Sequence, residues 1–440
     1  MSQSDTYIPH ETAMQQAWRF MLGNTRRLNT AQGNAVSVCD AGKLNTGPGP
    51  DFRDARLRID GDEWVGCVEM HRHASDWHRH GHDGDAAYRN VILHVVGCDD
   101  CRITREDGTE IPQAVMRVAP GFVEMFNGLL NEPHYVLPMC GRSLPAVADI
   151  FKTDWLTALA FERMQRKADD VAAILRATAG DWLQTAFVTL ARGLGFGVNA
   201  DNMERMARSV PYKILLRHSD DLDAVEAILF GQAGLLDTAS PADAHEAQLV
   251  NEYRFYAHKY GLTPIDNPVW QTNARNMANT PWRRIALLAR LVCRHGSDLG
   301  SILSENTDIE FFRSVMNIDM SDYWAYAFAF GRTGGSRMAA LGRQSRDLLI
   351  INVLAPLIYC RGLASGRPEL LDGAIRLWER VDGERNSITR GFEEHGIPAD
   401  NAFTSQALIQ LHRGYCERRR CPDCRLGHRI LSSFVSLGDR

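Results

Sequence analysis

The stretch from Gly47 to Val96 leaves little choice of local structure. Gly47-Pro-Gly-Pro50 interrupts any helix, and Asp51 follows it directly. Ala55-Arg-Leu-Arg-Ile59 alternates apolar and polar residues, the period of a half-buried strand. Asp60-Gly61-Asp62 is a turn in which glycine supplies positive φ. Trp64-Val-Gly-Cys-Val68 reads as the return strand and leads into Glu69-Met70-His71. Val91-Ile-Leu-His-Val-Val96 is an apolar run suited to a buried strand.

The hairpin register decides what meets Glu69. A two-residue turn at Asp60-Gly61 sets Phe52 opposite Glu69, and one at Gly61-Asp62 sets Asp54 there. In both registers Asp51 falls near the Glu69–His71 end. Strand side chains alternate, so Glu69 and His71 share a face. Asp51 joins them if the Gly/Pro entry or a bulge re-aims it. Two carboxylates so joined would suit magnesium or manganese, cations that stabilise charge on a transferring phosphate. The plain alternative is a surface hairpin with ordinary acidic residues.

Histidines crowd the segment that follows. His71, His73, His78, His80, His82 and His94 fall within 24 residues, out of 15 in the chain, with Asp76, Asp83 and Asp85 interspersed. They could build a second metal site or touch phosphate at a cleft mouth, with His80 and His82 foremost because they flank a glycine. Three converging imidazoles would suit a zinc hydrolase of a small molecule, although no His-Glu-x-x-His string is present. The structural alternative is a polar loop, with His94 a hydrogen-bonded core histidine and Trp77 a packing anchor.

Upstream, Glu11 to Leu22 has helical periodicity, with Met14, Trp18, Met21 and Leu22 on one side. Val36-Ser-Val-Cys39 is a short strand, and Asp83 to Asn90 fits a helix of about two turns. The resulting order is helix, three strands, helix, strand. It resembles the αβββαβ core of the restriction-endonuclease-like nucleases, the PD-(D/E)xK superfamily. Pro50-Asp51 stands where that family has its PD, and Glu69-Met70-His71 where it has (D/E)xK. The resemblance implies that Asp51 and Glu69 hold the metal and that residue 71 orients or activates water. It also makes Glu11 a further acidic ligand, as in some exonuclease members. The departure is histidine in place of lysine. Near neutral pH histidine is mostly uncharged, and it can bind metal or accept a proton.

Nearly the whole chain is similar to a domain-of-unknown-function family of bacterial proteins of about this length. The similarity rests on Gly49-Pro-Asp-Phe52, Trp64-Val-Gly-Cys-Val-Glu69, Ser75-Asp-Trp77, His80-Gly-His82 and Asn90 to Val96. It continues through Glu226-Ala-Ile-Leu-Phe-Gly-Gln-Ala-Gly234, Ile351-Asn352 with Pro356, and Tyr415-Cys416 with Cys421 and Cys424. It brings no activity with it.

The C-terminal end carries a second pattern, Cys416-x4-Cys421-x2-Cys424-x3-His428. A Cys-x2-Cys pair on a tight turn chelates a soft metal, and Pro422-Asp423 favours that turn. His428 could complete a Cys3His zinc site, or Cys140 in Leu137-Pro-Met-Cys-Gly141 could be the fourth ligand. A remote cysteine with a C-terminal trio resembles the iron–sulphur staple of certain helicase–nuclease and CRISPR-associated exonucleases. There the lone cysteine precedes the core, whereas Cys140 follows it. Cys98-x2-Cys101 has the same spacing but lacks evident partners.

Composition sets the outer limits. A chain of 440 residues with 45% hydrophobic and 23% charged content is expected to be globular, with two or three domains. No run of ~18 apolar residues marks a membrane span, and no secretory signal is visible, so a cytoplasmic protein is expected. Ten cysteines then read as thiols and metal ligands. The net charge of −5 gives no general attraction to nucleic acid. Local runs of arginine could contact phosphates or line solvated helix faces: Arg283, Arg284, Arg290 and Arg294; Arg332, Arg337, Arg343 and Arg346; and those around Cys416–Cys424. Residues 101–118 suggest another hairpin with Asp107-Gly108 at its turn. Prolines punctuate 120–145. Helical periodicity dominates from Thr153 onward, with Gly231 and Gly234 permitting close helix packing.

These readings combine into an α+β protein. Its expected parts are a nuclease-like core over 1–120, a linker with Cys140 over 121–152, a helical domain over 153–410, and a cysteine metal staple over 411–440. The expected function is metal-dependent cleavage of nucleic-acid phosphodiester bonds, DNA before RNA. Asp51 and Glu69 would hold magnesium or manganese, His71 would handle water, and His80 or His82 would assist. The cysteine site would take zinc or an iron–sulphur cluster, and the helical part could bind substrate or a protein partner. A non-catalytic binding scaffold with a nuclease-like fold is the alternative.

Overall fold

The protein is described from a computed structural model covering His10 to Ser436, except residues 20, 22, 46, 119–121, 124–125, 127–139, 273–278 and 419. Leu22 and most of the proline-punctuated stretch therefore lie outside the described residues. The chain is α+β, with a mixed sheet in its N-terminal part and mostly helices thereafter. It divides into two compact units. Unit 1 comprises 1–156, 390–397 and 411–440; unit 2 comprises 157–389 and 398–410.

Unit 1 begins with α1 (Glu11–Arg19), which buries Ala13, Met14, Ala17 and Trp18 on one face. Trp18 is fully enclosed against Phe52, and its indole N–H donates to Ala41 O at 3.0 Å. The sheet contains β1 (Arg27–Asn29), β2 (Ala35–Asp40), β3 (Lys43–Leu44), β4 (Phe52–Ile59), β5 (Asp62–His73), β6 (Val91–Cys98) and β7 (Gln113–Val115). Its order is β1-β2-β4-β5-β6-β7, with β3 on β4. Strands β2, β4 and β5 form an antiparallel meander, and β6 lies parallel to β5. Thr30, just past β1, bridges Ala114 of β7, so the two ends of this order meet.

The first hairpin register is the one adopted at the turn. Ile59 pairs with Asp62, and Asp60 and Gly61 have φ of 50° and 97°, the positive values of a two-residue hairpin turn. The register then slips: Phe52 pairs with Val68, not Glu69. Asp54 stands at φ 58° inside this bulge. β5 runs on to His73 because its second half is buried between neighbours, whereas Asp62 to Val65 are exposed.

The crossover from β5 to β6 differs from expectation. In place of a two-turn helix at Asp83–Asn90 there are α2 (Asp76–Arg79) and a single turn at Ala86–Tyr88. Gly84 at φ 76° ends any helix, and the Asp85 carboxylate caps the short turn through the Ala87 N–H. β6 is buried throughout Val91–Val96, as a central strand is. Residues 101–118 turn at Asp107-Gly108, and Thr104 bridges Glu110. Thr109 to Ile111 folds back antiparallel on Ile103 to Arg105 as the expected hairpin, and the chain then continues into β7. It pairs parallel to β6, which buries Ala114 and Met116 completely.

The helices expected after Thr153 form at Asp149–Ala177, Trp182–Leu194, Leu222–Gln232, Pro281–His295 and Ala402–Leu411. A longer helix, Arg343–Ser365, widens to a π-turn at Ile350–Leu354. The Trp378 indole donates to Ile351 O there. This helix is long and apolar enough to cross a membrane by composition, and most of it is buried in the core of unit 2. Gly231 permits close packing as expected: a Cβ there would overlap the Tyr253 ring. Gly231→Ala should therefore cost roughly 1–3 kcal/mol of stability, read as a lowered urea midpoint with an unchanged slope.

Only part of the first arginine run faces solvent: Arg294 is exposed and Arg290 half-buried. Arg283 and Arg284 are buried in unit 2. Arg283 donates to the carbonyls of Trp324, Ala327, Met338 and Ala339, and Arg284 to Asn279 and Ala340. They hold the chain that follows the helix, a role invisible in a count of charges.

Candidate metal centre

The bulge in β4 turns Asp51 back over the inner half of β5. The Asp51 N–H donates to Glu69 Oε2 at 2.9 Å, and the Met70 N–H donates to Asp51 Oδ2 at 3.1 Å. Each carboxylate thus accepts from the other strand's backbone. Gln15, one turn beyond Glu11 on α1, donates to Asp51 Oδ1 at 2.9 Å. Glu69 Oε1 lies 3.5 Å from His71 Nε2 and 3.4 Å from His82 Nε2. Glu69 and His71 are both buried and share a face, as the strand period requires.

The carboxyls resist ionising together. Burial, then the charge of Asp51, pushes Glu69 up to about 9. Burial also raises Asp51, against the bonds from Gln15 and Met70 that favour its charge. Glu11 is raised to about 7 by burial, then by Asp51 and Asp76, while Arg72 and Arg79 pull the other way. The basic groups within ion-pair distance of Glu69 are imidazoles. A divalent cation would supply the charge that these imidazoles lack.

The histidines form an ordered chain. Gln113 uses its amide nitrogen on Asp99 (2.5 Å) and Cys101 O (2.9 Å), so its Oε1 accepts from His94 Nδ1 at 3.0 Å. His94 Nε2 then accepts from His71 Nδ1 at 2.8 Å. This chain leaves the His71 Nε2 lone pair aimed at the site, 3.1 Å from His80 Nδ1. Burial, followed by the neighbouring His94, His80 and His82, lowers His71 to about 2 and keeps it neutral. His94 is lowered to about 4, chiefly by burial. The ligand atoms of His71, His80 and His82 all lie within 4.8 Å of one another.

Tyr88 stacks on His82 with ring centres 3.8 Å apart, and Trp77 sets its edge against His82 and His94. A cavity of about 390 Å³, lined by Trp77, His82, Asp85, Tyr88, Arg89 and Arg105, borders this side. Trp77 is a buried packing anchor, as expected.

A family model described as Protein of unknown function (DUF2851) matches residues 11–387. The chain belongs to that family. The matched span takes in Glu11, Asp51, Glu69, the histidine cluster and Cys140, and it ends before Cys416. No curated protein and no solved structure matches the chain.

In this family member five sequence-nominated residues meet, Asp51, Glu69, His71, His80 and His82, and Glu11 acts on Asp51 and Glu69 through its charge. His78 instead pairs with Asp83 on the surface, at 2.6 Å. Cys140, Cys416, Cys421 and Cys424 line one small cavity of unit 1 whose lining, among the described residues, does not include His428. Sequence reading missed Gln15, Tyr88 and Gln113. Only Gln15 left a signal, its four-residue spacing from Glu11 on one helix face. His94, read as a core histidine, also fixes the tautomer of His71. His94→Leu should therefore weaken metal binding or turnover about 10–100-fold while leaving the fold intact, checked by metal titration alongside circular dichroism.

Proposed function

We propose that unit 1 is a metal-dependent phosphodiesterase acting on nucleic acid, DNA before RNA, with Glu11, Asp51, Glu69 and His71 at its centre. The observation that carries this reading is the crossed pairing of the Asp51 and Glu69 carboxyls beside the neutral His71 imidazole, whose Nε2 lies 3.5 Å from Glu69, with Glu11 acting on them through its charge. The order α1, antiparallel meander, crossover, parallel β6 supports it by its likeness to the core of restriction-endonuclease-like nucleases, although the crossover holds only the four-residue α2 and one turn where that core has a longer helix. The meeting of β1 with β7 is an addition to that core. None of the ten cysteines is joined in a disulfide, which fits the cytoplasmic setting expected for such an enzyme.

The donor set suits magnesium or manganese at Asp51, Glu69 and Glu11, with imidazole nitrogen also acceptable to manganese. Such a cation would neutralise charge on the transferring phosphate and acidify its water. The chain's own groups do the rest. His71 Nε2, with Nδ1 committed to His94 and the ring kept neutral, offers a lone pair that can orient water by accepting a hydrogen bond or can ligate the cation. Asp51 and Glu69 stay in register through their crossed backbone bonds. Tyr88 and His82 offer a stacked wall that a base or sugar could lie against.

A second reading draws on the three converging imidazoles, which suit zinc and a small-molecule substrate. Activity assays separate the two. Labelled single- and double-stranded DNA and RNA, with manganese, magnesium, zinc or EDTA, should show cleavage supported by manganese or magnesium. Cleavage of none of these, with zinc-dependent hydrolysis of simple esters, would move the assignment to the second reading. Inactivity toward both classes in a folded, metal-loaded protein would favour a binding scaffold.

A further inference from the structure

The four cysteines come from distant parts of the sequence. Cys140 precedes the turn Gly141–Ala146. Cys416 ends a π-turn, His412–Cys416, and Cys421 opens the short turn Cys421–Asp423 that Cys424 closes. The Cys424 N–H donates to Cys421 O at 3.2 Å and to Arg420 O at 3.1 Å, which folds the Cys-x2-Cys segment into a compact loop. Glycine at 427 is required by this loop, since a Cβ there would overlap Cys421 O. The four cysteines line one cavity with Leu144, Phe392, Leu411 and Tyr415. Cys424 and Cys421 both bear electrostatically on Cys140, and all three on Cys416, although among the described residues no three of these sulphurs lie within 4.8 Å of one another as the three imidazoles do.

Burial raises all four thiols above their ordinary range, so a bound cation would be needed to draw off their protons. The indole N–H of Trp155 is buried beside Cys424. Arg425 lies over the Trp155 ring, Arg420 over Tyr415 and Arg429 over Phe151. All three arginines are exposed, as the solvated-face reading expected, and Arg420 and Arg425 pair with Asp423 and Asp154. Metal bound by four thiolates carries net negative charge, which nearby cations and N–H donors stabilise.

We propose that Cys140, Cys416, Cys421 and Cys424 bind a thiophilic metal centre, zinc or an iron–sulphur cluster, which braces α1. The link to α1 is direct. Asp423, held in the loop between Cys421 and Cys424, pairs with Arg19 in the last turn of α1 at 2.7 Å. Arg420 steadies the other oxygen of Asp423 at 3.1 Å. Cys140 and Cys421 pack on the same core as Trp18. The same helix carries Glu11 and Gln15, so the centre supports the carboxylate site without touching it. Zinc and a cluster share the four-thiolate chemistry; zinc needs only the ion, and a cluster needs iron with inorganic sulphide.

Full-length protein purified without oxygen tests this by metal and acid-labile sulphide content. About one zinc per chain, or iron with matching sulphide, supports the centre. Cys140→Ser should abolish that content, whereas His428→Ala and the exposed Cys39→Ser should keep it. Wild type that stays metal-free after supply of zinc, or of iron and sulphide, overturns the proposal. So does a Cys140→Ser protein that keeps full content. If Cys140→Ser does not fold, thiol titration of wild type decides. Four more thiols should react with an organomercurial after chelation than before, and no difference overturns the centre. Hydrogen exchange of residues 11–19 reads the bracing. Asp423→Asn should keep the metal yet lose protection in α1. Unchanged protection there and in Cys421→Ser removes the bracing role. None of these measurements depends on nuclease activity.

Discussion

Glu69→Gln is expected to lower metal-dependent cleavage by about a thousandfold or more while making the metal-free protein more stable above neutral pH. Loss of several kcal/mol of transition-state charge stabilisation corresponds to a rate loss of that order. Glu69 is the central group: it accepts from the Asp51 N–H, and its other oxygen faces His71 and His82. A glutamine oxygen can still accept from Asp51, so the strand register survives. The opposite sign for stability follows from burial. The Glu69 carboxyl titrates near 9 instead of its ordinary 4.5, so ionising it in the fold is unfavourable. Stability from this raised group is fully present below about 4.5 and is lost as pH rises through about 9. The neutral amide removes that loss. Thermal unfolding in EDTA at pH 8, beside a cleavage assay in manganese, reads both effects. A variant that retains cleavage, or that is less stable in EDTA, would place the carboxylate outside the chemistry.

Metal affinity should rise steeply between about pH 5 and 9, by about tenfold per pH unit for each proton displaced. Glu69 and Glu11 hold protons up to about 9 and 7, and a cation must displace them to bind. His71 contributes no proton over this range, because its lowered value of about 2 leaves it neutral. Its own effect on stability has the opposite sense: it is present above its ordinary 6.5 and lost as pH falls toward about 2. Calorimetric titration of manganese in buffers of different ionisation enthalpy counts the protons released. Release near pH 7 should be about one proton or more, and Glu69→Gln should reduce it. Binding without proton release would mean that the cation sits elsewhere, for example on the imidazoles alone.

Both expectations rest on residues that strand periodicity could nominate but not assemble. Alternation along β5 put Glu69 and His71 on one face before any coordinates were needed. The Asp60-Gly61 turn was legible because only a few residue types accept positive φ at both positions. The slip that makes Phe52 pair with Val68 was not. It depends on Asp54 tolerating φ 58° within the packed sheet, which no local pattern reports. The two-turn helix expected at Asp83–Asn90 failed for a related reason. Its apolar spacing was compatible with a helix, but Gly84 and the Asp85 cap limit it to one turn.

The sequence by itself determined the local elements: strand and helix periods, the hairpin turn, the chelating Cys-x2-Cys loop and the ligand types on offer. These follow from short-range sterics and from the burial period of each element. Only the tertiary structure decided which of those groups meet. Packing brought Glu11 of α1 to the end of β5, aligned Gln113, His94 and His71 into one chain that fixes a lone pair, and set Cys140 beside a trio nearly 280 residues away. Such meetings depend on long-range burial and on satisfying buried polar groups, and a linear pattern carries neither.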